Sequence, residues 1–172
     1  MTLDTYSALL ILTSIIVFAV HNAEETLGIE DWMAKNFRPS IAVRYRKKSF
    51  IVACTLLWVA YAVMALLAVW CTSATVLHVF GIAFAAIVAN GFFHVLAWIY
   101  FGKIPPGFWS TAILVLPLGG LLTWHAIAMG TLTFQQAEVA FVIGAVLQMP
   151  LACGAIFISD FLFGLKERIF QK

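Results

Sequence analysis

The sequence predicts an all-α membrane protein that crosses a bilayer as five helices, with its N-terminus outside and its C-terminus in the cytoplasm. Three observations carry this expectation. First, 63% of the 172 residues are hydrophobic and 10% are charged, where a soluble domain carries about 25% charged and about 45–50% apolar residues. With a mean hydropathy of +1.01, lipid must solvate much of the chain. Second, the hydrophobic runs each reach or exceed the roughly 20 residues that cross about 30 Å of hydrocarbon. Third, all ten Lys and Arg residues fall on one side of the resulting topology, and that side is cytoplasmic by the positive-inside rule.

The first helix is expected from about Thr5 to Glu25. It lacks a basic leader and a small-residue cleavage site, so it reads as a retained span rather than a secretory signal. A polar stretch from Thr26 to Ser49 follows. In it Ile29, Trp32, Met33 and Phe37 recur at helical spacing, which suggests a short helix lying in the membrane interface after helix one. Helix two is expected over about Phe50–Cys71 and helix three over about Ala74–Tyr100. Gly102, Pro105, Pro106 and Gly107 then break the chain. Helix four is expected over about Phe108–Met129 and helix five over about Ala137–Gly164, with Pro117 and Pro150 inside them as tolerated kinks. Residues 1–172 thus read as one transmembrane helical-bundle domain.

The basic residues are Lys35, Arg38, Arg44, Arg46, Lys47 and Lys48 between helices one and two, Lys103 between three and four, and Lys166, Arg168 and Lys172 after five. The loops near Thr72–Ser73 and Gly130–Gln136 have none. Trp32, Tyr45, Trp98, Tyr100 and Trp109 sit near the basic side, as an aromatic belt does. The net charge of +2 is too small to argue for nucleic acid. The lipid bilayer is the expected partner, and self-association into a homo-oligomer stays open. Cys54, Cys71 and Cys153 form no CxxC pair and read as small apolar residues. Gly81, Ala85 and Ala89 form a small-residue stripe for close helix packing.

Ionisable groups inside spans are costly and mark functional candidates. All four histidines lie in spans or at their ends. Depth sorts the polar residues into two groups. His21, Glu24, Glu25, Asn90, His94 and Asp160 come toward the inner leaflet. His78, His125 and Glu138 share the outer level, where hydration is their simplest reading. His78 and His94 are 16 residues apart, about 24 Å along a helix, and cannot share one ion.

In His21-x-x-Glu24-Glu25 the i, i+3 and i+4 side chains project from one face, and Asn90 and His94 likewise share a face. Two imidazoles and one or two carboxylates at one depth suit a divalent metal ion, Zn²⁺ or non-haem iron. His21, Glu25 and His94 are the expected ligands. Glu24 serves as a further ligand or general base, Asn90 orients His94 or a substrate, and Asp160 is an additional ligand or supporting group.

These two motifs resemble the HXXEE family of small bacterial membrane proteins, which is named for the first motif and also carries the second. The resemblance covers the chain in length and helix number. It implies that His21, Glu24, Glu25, Asn90 and His94 form the site and places the protein in a bacterial inner membrane, and it names no substrate. Three functions are open. The leading one is a metal-dependent enzyme, hydrolase or oxidoreductase, acting on an amphiphilic or lipid-like substrate from the cytoplasmic leaflet. The second is a proton or metal-ion transporter. The third is an accessory membrane subunit with a closed metal site. A bis-His haem is disfavoured by the adjacent carboxylates.

Overall fold

The computed structural model describes the backbone of residues 3–71 and 73–170 and the side chains as far as residue 163. The side chains of Lys166 and Arg168, together with Thr72 and Lys172, lie outside the described residues. Within them the chain is helical and contains no strand. Five helices are long and apolar enough to cross a bilayer.

Helix α1 runs from Thr5 to Asn36, α2 from Pro39 to Ala42, α3 from Lys47 to Cys71 and α4 from Ala74 to Phe101. The fourth span is composite. It comprises one turn of α5, Phe108–Ser110, a π-helical segment over Thr111–Val115, and α6 over Leu116–Ala128. Helix α7 covers Phe134–Phe170. Asp4 caps α1 by accepting from the Ser7 amide at 2.9 Å, and the hydrogen bonds from Ser7 hold its carboxyl down to about 2. Ser73 caps α4 through the Val76 amide. Thr133 and Gln136 open α7 with a reciprocal capping box, Thr133 N–H to Gln136 Oε1 at 2.9 Å and Gln136 N–H to Thr133 Oγ1 at 3.2 Å. Gly102, at φ +63°, closes α4 in the left-handed conformation.

The expected interfacial helix after helix one is corrected. Residues 29–36 are helical, but as an unbroken continuation of α1. Thirty-two residues make a helix about 48 Å long, so α1 outruns the hydrocarbon. It persists because Ile29 and Met33 are buried in a core with Phe50, Ala53, Ala155 and Ile156. Trp32 turns inward against Phe101, ring centroids 5.2 Å apart, so the belt on that side retains Trp98, Tyr100 and Trp109 as its exposed members. Cys54 is buried, but Cys71 and Cys153 are exposed, and all three are free.

The π-segment has a local cause. Pro117 has no N–H to return to the carbonyl four residues back. Just before it the ladder shifts register, and the Leu116 amide bonds the Thr111 carbonyl, five residues back.

A second apolar core gathers Leu10, Ile11, Tyr61, Ala65, Phe80 and Phe84 toward the other end of the bundle. Helices α4 and α7 approach closely at Gly144, where a Cβ would lie 2.6 Å from the Ala86 nitrogen. The expected stripe is therefore used in part. Ala85 and Ala86 make the close approach, and Gly81 faces open space. A cleft lies on either side of this crossing.

A buried His–Glu–His cluster under a proline–glycine loop

The polar cluster sits where α1, α4 and the start of the fourth span converge, between the two apolar cores. His21 and His94 are buried, 1% and 8% exposed. Because α1 continues to Asn36, His21 and Glu25 lie inside a helix, not at a solvated end. His94 is likewise seven residues from the end of α4.

One ligand-type atom from each of His21, Glu25 and His94 falls within 4.8 Å of the others. His21 Nε2 is 3.9 Å from Glu25 Oε2, and His94 Nε2 is 3.8 Å from Glu25 Oε1. The two imidazoles meet edge to face at 5.0 Å. Tetrahedral zinc, with bonds of 2.0–2.2 Å, sets its ligand atoms about 3.3–3.5 Å apart. The two imidazole–carboxylate separations stand about half an ångström beyond that spacing, and the donor set as a whole, within 4.8 Å, is looser still, so the rings and the carboxylate would have to draw together to hold an ion.

The hydrogen bonds orient both rings. Ser110 Oγ donates to the Gly107 carbonyl at 3.2 Å, so it accepts from His21 Nδ1–H at 3.1 Å. That leaves His21 Nε2 as an acceptor. The Asn90 amide fills it, donating at 3.0 Å to His21 Nε2 and at 3.3 Å to His94 Nε2. The Pro106 carbonyl stands beside the His94 ring. Asn90 is itself fixed from α7, where Gln148 Nε2 donates to its Oδ1 at 2.6 Å. His21 Nε2 therefore faces Glu25 and Asn90 while Ser110 holds its ring from behind, and His94 Nε2 faces the same two residues. This is the tautomer and support that metal-ligating histidines use.

Gly107 makes the roof. Its φ is +83°, and a Cβ there would fall 2.9 Å from His21 Cε1 and 3.0 Å from His94 Cε1. The loop that the sequence marks only as a break thus lies on the imidazoles. The sequence reading also missed Ser110, a common hydroxyl at a helix start, and Gln148, a single amide in an apolar span. Neither carries a local signal.

Glu24, expected as a further ligand or general base, stands outside the His21–Glu25–His94 group and is turned to the start of the fourth span. Its carboxylate accepts from the Ser110 amide at 2.7 Å and the Trp109 amide at 3.2 Å. It thereby caps the N-terminus of the fourth span, where free N–H groups and the helix dipole favour an anion. Replacing it (Glu24→Gln) is expected to cost about 1 kcal/mol, the usual worth of a helix cap. Under a metal-binding role for His21, Glu25 and His94 it should leave metal affinity unchanged. A thermal melt paired with elemental analysis checks this, and loss of metal in the variant would return Glu24 to the donor set.

Asp160 also lies outside the cluster. It is exposed on α7, next to Ser159, whose hydroxyl donates to the Ser49 carbonyl at 2.8 Å. His78, His125 and Glu138, at the opposite end of the bundle, share a cleft of about 680 Å³ but do not converge. His78 bonds the Ala74 carbonyl, His125 Nε2 lies 3.5 Å from Asp4, and Glu138 is exposed. Among the described residues, His21, Glu25 and His94 form the only such donor set.

Fold and site together define a multi-pass helical membrane protein with a buried pair of imidazoles facing a carboxylate. Residues 12–122, which carry all of the cluster except Gln148, match the family of proteins of unknown function with an HXXEE motif, and the chain belongs to that family. No curated protein and no solved structure matches it.

Proposed function

We propose that this protein is a metal-dependent membrane enzyme, a hydrolase or an oxidoreductase, acting on an amphiphilic substrate. In this reading it sits in a bacterial inner membrane with its basic end in the cytoplasm. The observation that carries it is the convergence of His21, Glu25 and His94 in a buried place, with both Nε2 atoms aimed at the carboxylate. Two imidazoles and one carboxylate are the donor set of hydrolytic zinc sites and of non-haem iron sites. An ion held there supplies Lewis-acid polarisation of a substrate oxygen. The chain's own residues supply the rest. Ser110 fixes the ring of His21, Gln148 fixes Asn90, and the Asn90 amide offers two N–H donors beside the donor atoms. Glu25 and His94 line a cleft, which gives a substrate access.

The rival is a closed structural cluster. It gains from one observation: the Asn90 amide already satisfies both imidazole lone pairs. Transport gains nothing comparable. Between His78 and Asn90, helix α4 offers only apolar residues and glycine.

Elemental analysis of protein purified without chelators tests the proposal. We expect one zinc or iron per chain. Metal-free protein that also fails to take up either ion on titration removes the enzyme reading and leaves the structural one.

A further inference from the structure

The Asn90 amide occupies the place that a cation on the two imidazoles would contest. Its Nδ2 stands 3.0 Å from His21 Nε2 and 3.3 Å from His94 Nε2. Because Ser110 accepts from His21 Nδ1–H, His21 Nε2 is an acceptor, and the amide has to present N–H to it. An ion on the same lone pairs would face the positive ends of those N–H groups. The amide cannot keep this orientation once the rings hold a cation. The position it occupies is nevertheless close to that of a ligand, since 3.0 and 3.3 Å approach the spacing of about 3.3–3.5 Å between corners of a tetrahedral zinc site. A half-turn about the Asn90 Cβ–Cγ bond brings Oδ1 to that position and sends Nδ2 to where Oδ1 stood. The partner behind it suits such a turn. Gln148 Nε2 donates to Asn90 Oδ1 at 2.6 Å, and Gln148 Oε1 is buried with no partner among the described residues. If both amides turn, Asn90 Nδ2 donates to Gln148 Oε1 instead. Each arrangement contains one amide–amide hydrogen bond and leaves one end of Gln148 unpaired, Oε1 before and Nε2 after. Gln148 therefore favours neither state, as a lysine or an aspartate in its place would, and occupancy of the rings decides between them. Asn90 and Gln148 both line the cleft walled by α1, α3, α4 and α7, which gives the amides space on one side in which to turn.

We propose that Asn90 is a fourth ligand held in reserve: when His21, Glu25 and His94 take up a divalent cation, the Asn90 amide turns over and its Oδ1 joins them. This rests on the metal reading above and adds to it one donor and the switch that brings the donor in. No proton moves in the amide exchange. The hydrogen bonds that fill both Nε2 atoms then belong to the empty state of the site, and they cease to favour a closed structural cluster. Zinc sites draw their donors from thiolate, imidazole and carboxylate groups. A neutral amide oxygen is the weakest of these four donors, and so the one that a substrate oxygen displaces.

The test is a zinc titration of the full chain in phosphatidylcholine vesicles, with ¹³C at the side-chain carbonyl of asparagine. The chain has three asparagines, Asn22, Asn36 and Asn90, so the infrared band missing from Asn90→Asp belongs to Asn90. In the wild type, zinc is expected to move that band to lower frequency, because coordination through oxygen weakens a C=O bond. Asn90→Asp keeps an oxygen and loses the N–H groups, and it should bind zinc at least as tightly as the wild type. Asn90→Leu has neither and should bind about tenfold or more weakly. A carbonyl band that zinc does not move overturns the proposal whatever the variants do. Equal loss of affinity in Asn90→Asp and Asn90→Leu also overturns it, since the amide would then act only through its N–H groups, as does undiminished affinity in Asn90→Leu. In each of these cases a wild type that binds zinc keeps the metal reading. A wild type that takes up no zinc removes that reading and the fourth ligand with it.

Discussion

On the proposed metal reading, replacing His94 by alanine is expected to weaken affinity for Zn²⁺ or Fe²⁺ by more than about 100-fold. Even the loss of a group that merely supports a ligand costs about 10–100-fold, and His94 is one of the three residues that could hold the ion. The remaining pair, His21 and Glu25, sits on one helix at i and i+4 and presents only two donor atoms across 3.9 Å. The variant also loses one acceptor for the Asn90 amide and leaves a void under the loop. Together these should cost about 1–3 kcal/mol of stability. That second effect separates the readings. A structural cluster predicts the same fall in melting temperature with no metal to lose. A metal site predicts that added zinc raises the melting temperature of the wild type and not of His94→Ala, since a ligand that binds only the folded state stabilises it. His78→Ala is the control. His78 is exposed on the same helix and bonds only its own turn, so neither readout should move. Zinc-dependent stabilisation that survived His94→Ala would remove His94 from the site.

What the sequence made legible follows from which forces are local. Five spans can be read because hydropathy and length are properties of each segment alone, and the structure contains five helices of that kind. The meeting of His21, Glu25 and His94 can be anticipated from i, i+4 spacing and matched depth. The end of α1 was misread for a physical reason. Glu24, Glu25, Glu30 and Asp31 look like an exit from the membrane, yet Ile29 and Met33 pack on residues more than a hundred positions away, Ala155 and Ile156. Local sequence does not encode that contact. Glu24 and Glu25 are equally placed by spacing. What divides them is tertiary: Glu24 meets the open N–H groups of the fourth span, and Glu25 faces the imidazoles. Asp160 lies twelve residues beyond Gln148 on α7, about 18 Å along the helix, and its neighbour Ser159 meets Ser49 rather than the cluster. Gln148 carries no pattern of its own, because its meaning comes from Asn90 on another helix.

Substituting Gly107 by alanine is expected to do nearly as much damage as removing a ligand, although the residue offers no side chain. Two costs add. The first is backbone strain. Gly107 holds φ at +83°, and a residue with a Cβ in such a conformation costs about 1–2 kcal/mol. The second is steric. The new methyl would stand 2.9 Å from His21 Cε1 and 3.0 Å from His94 Cε1, well inside the 3.5–4.0 Å at which carbon atoms pack. Neither ring can yield easily, since Ser110 and Asn90 fix the one and Asn90 lies beside the other. Overpacking of this kind costs about 1–3 kcal/mol more. Either the loop lifts or the imidazoles turn, and in both cases the two Nε2 atoms leave their common aim at Glu25. Gly102→Ala isolates the steric part. Gly102 has φ +63° and open space around its Cβ position, so it should show the strain alone, with a lower melting temperature and intact metal affinity. Gly107→Ala should lose both, and the difference between the two variants in zinc titration measures what the roof of the cluster contributes. If Gly107→Ala bound zinc as tightly as Gly102→Ala, the loop would be a passive cover, and the alignment of the two rings would have to come from α1 and α4 alone.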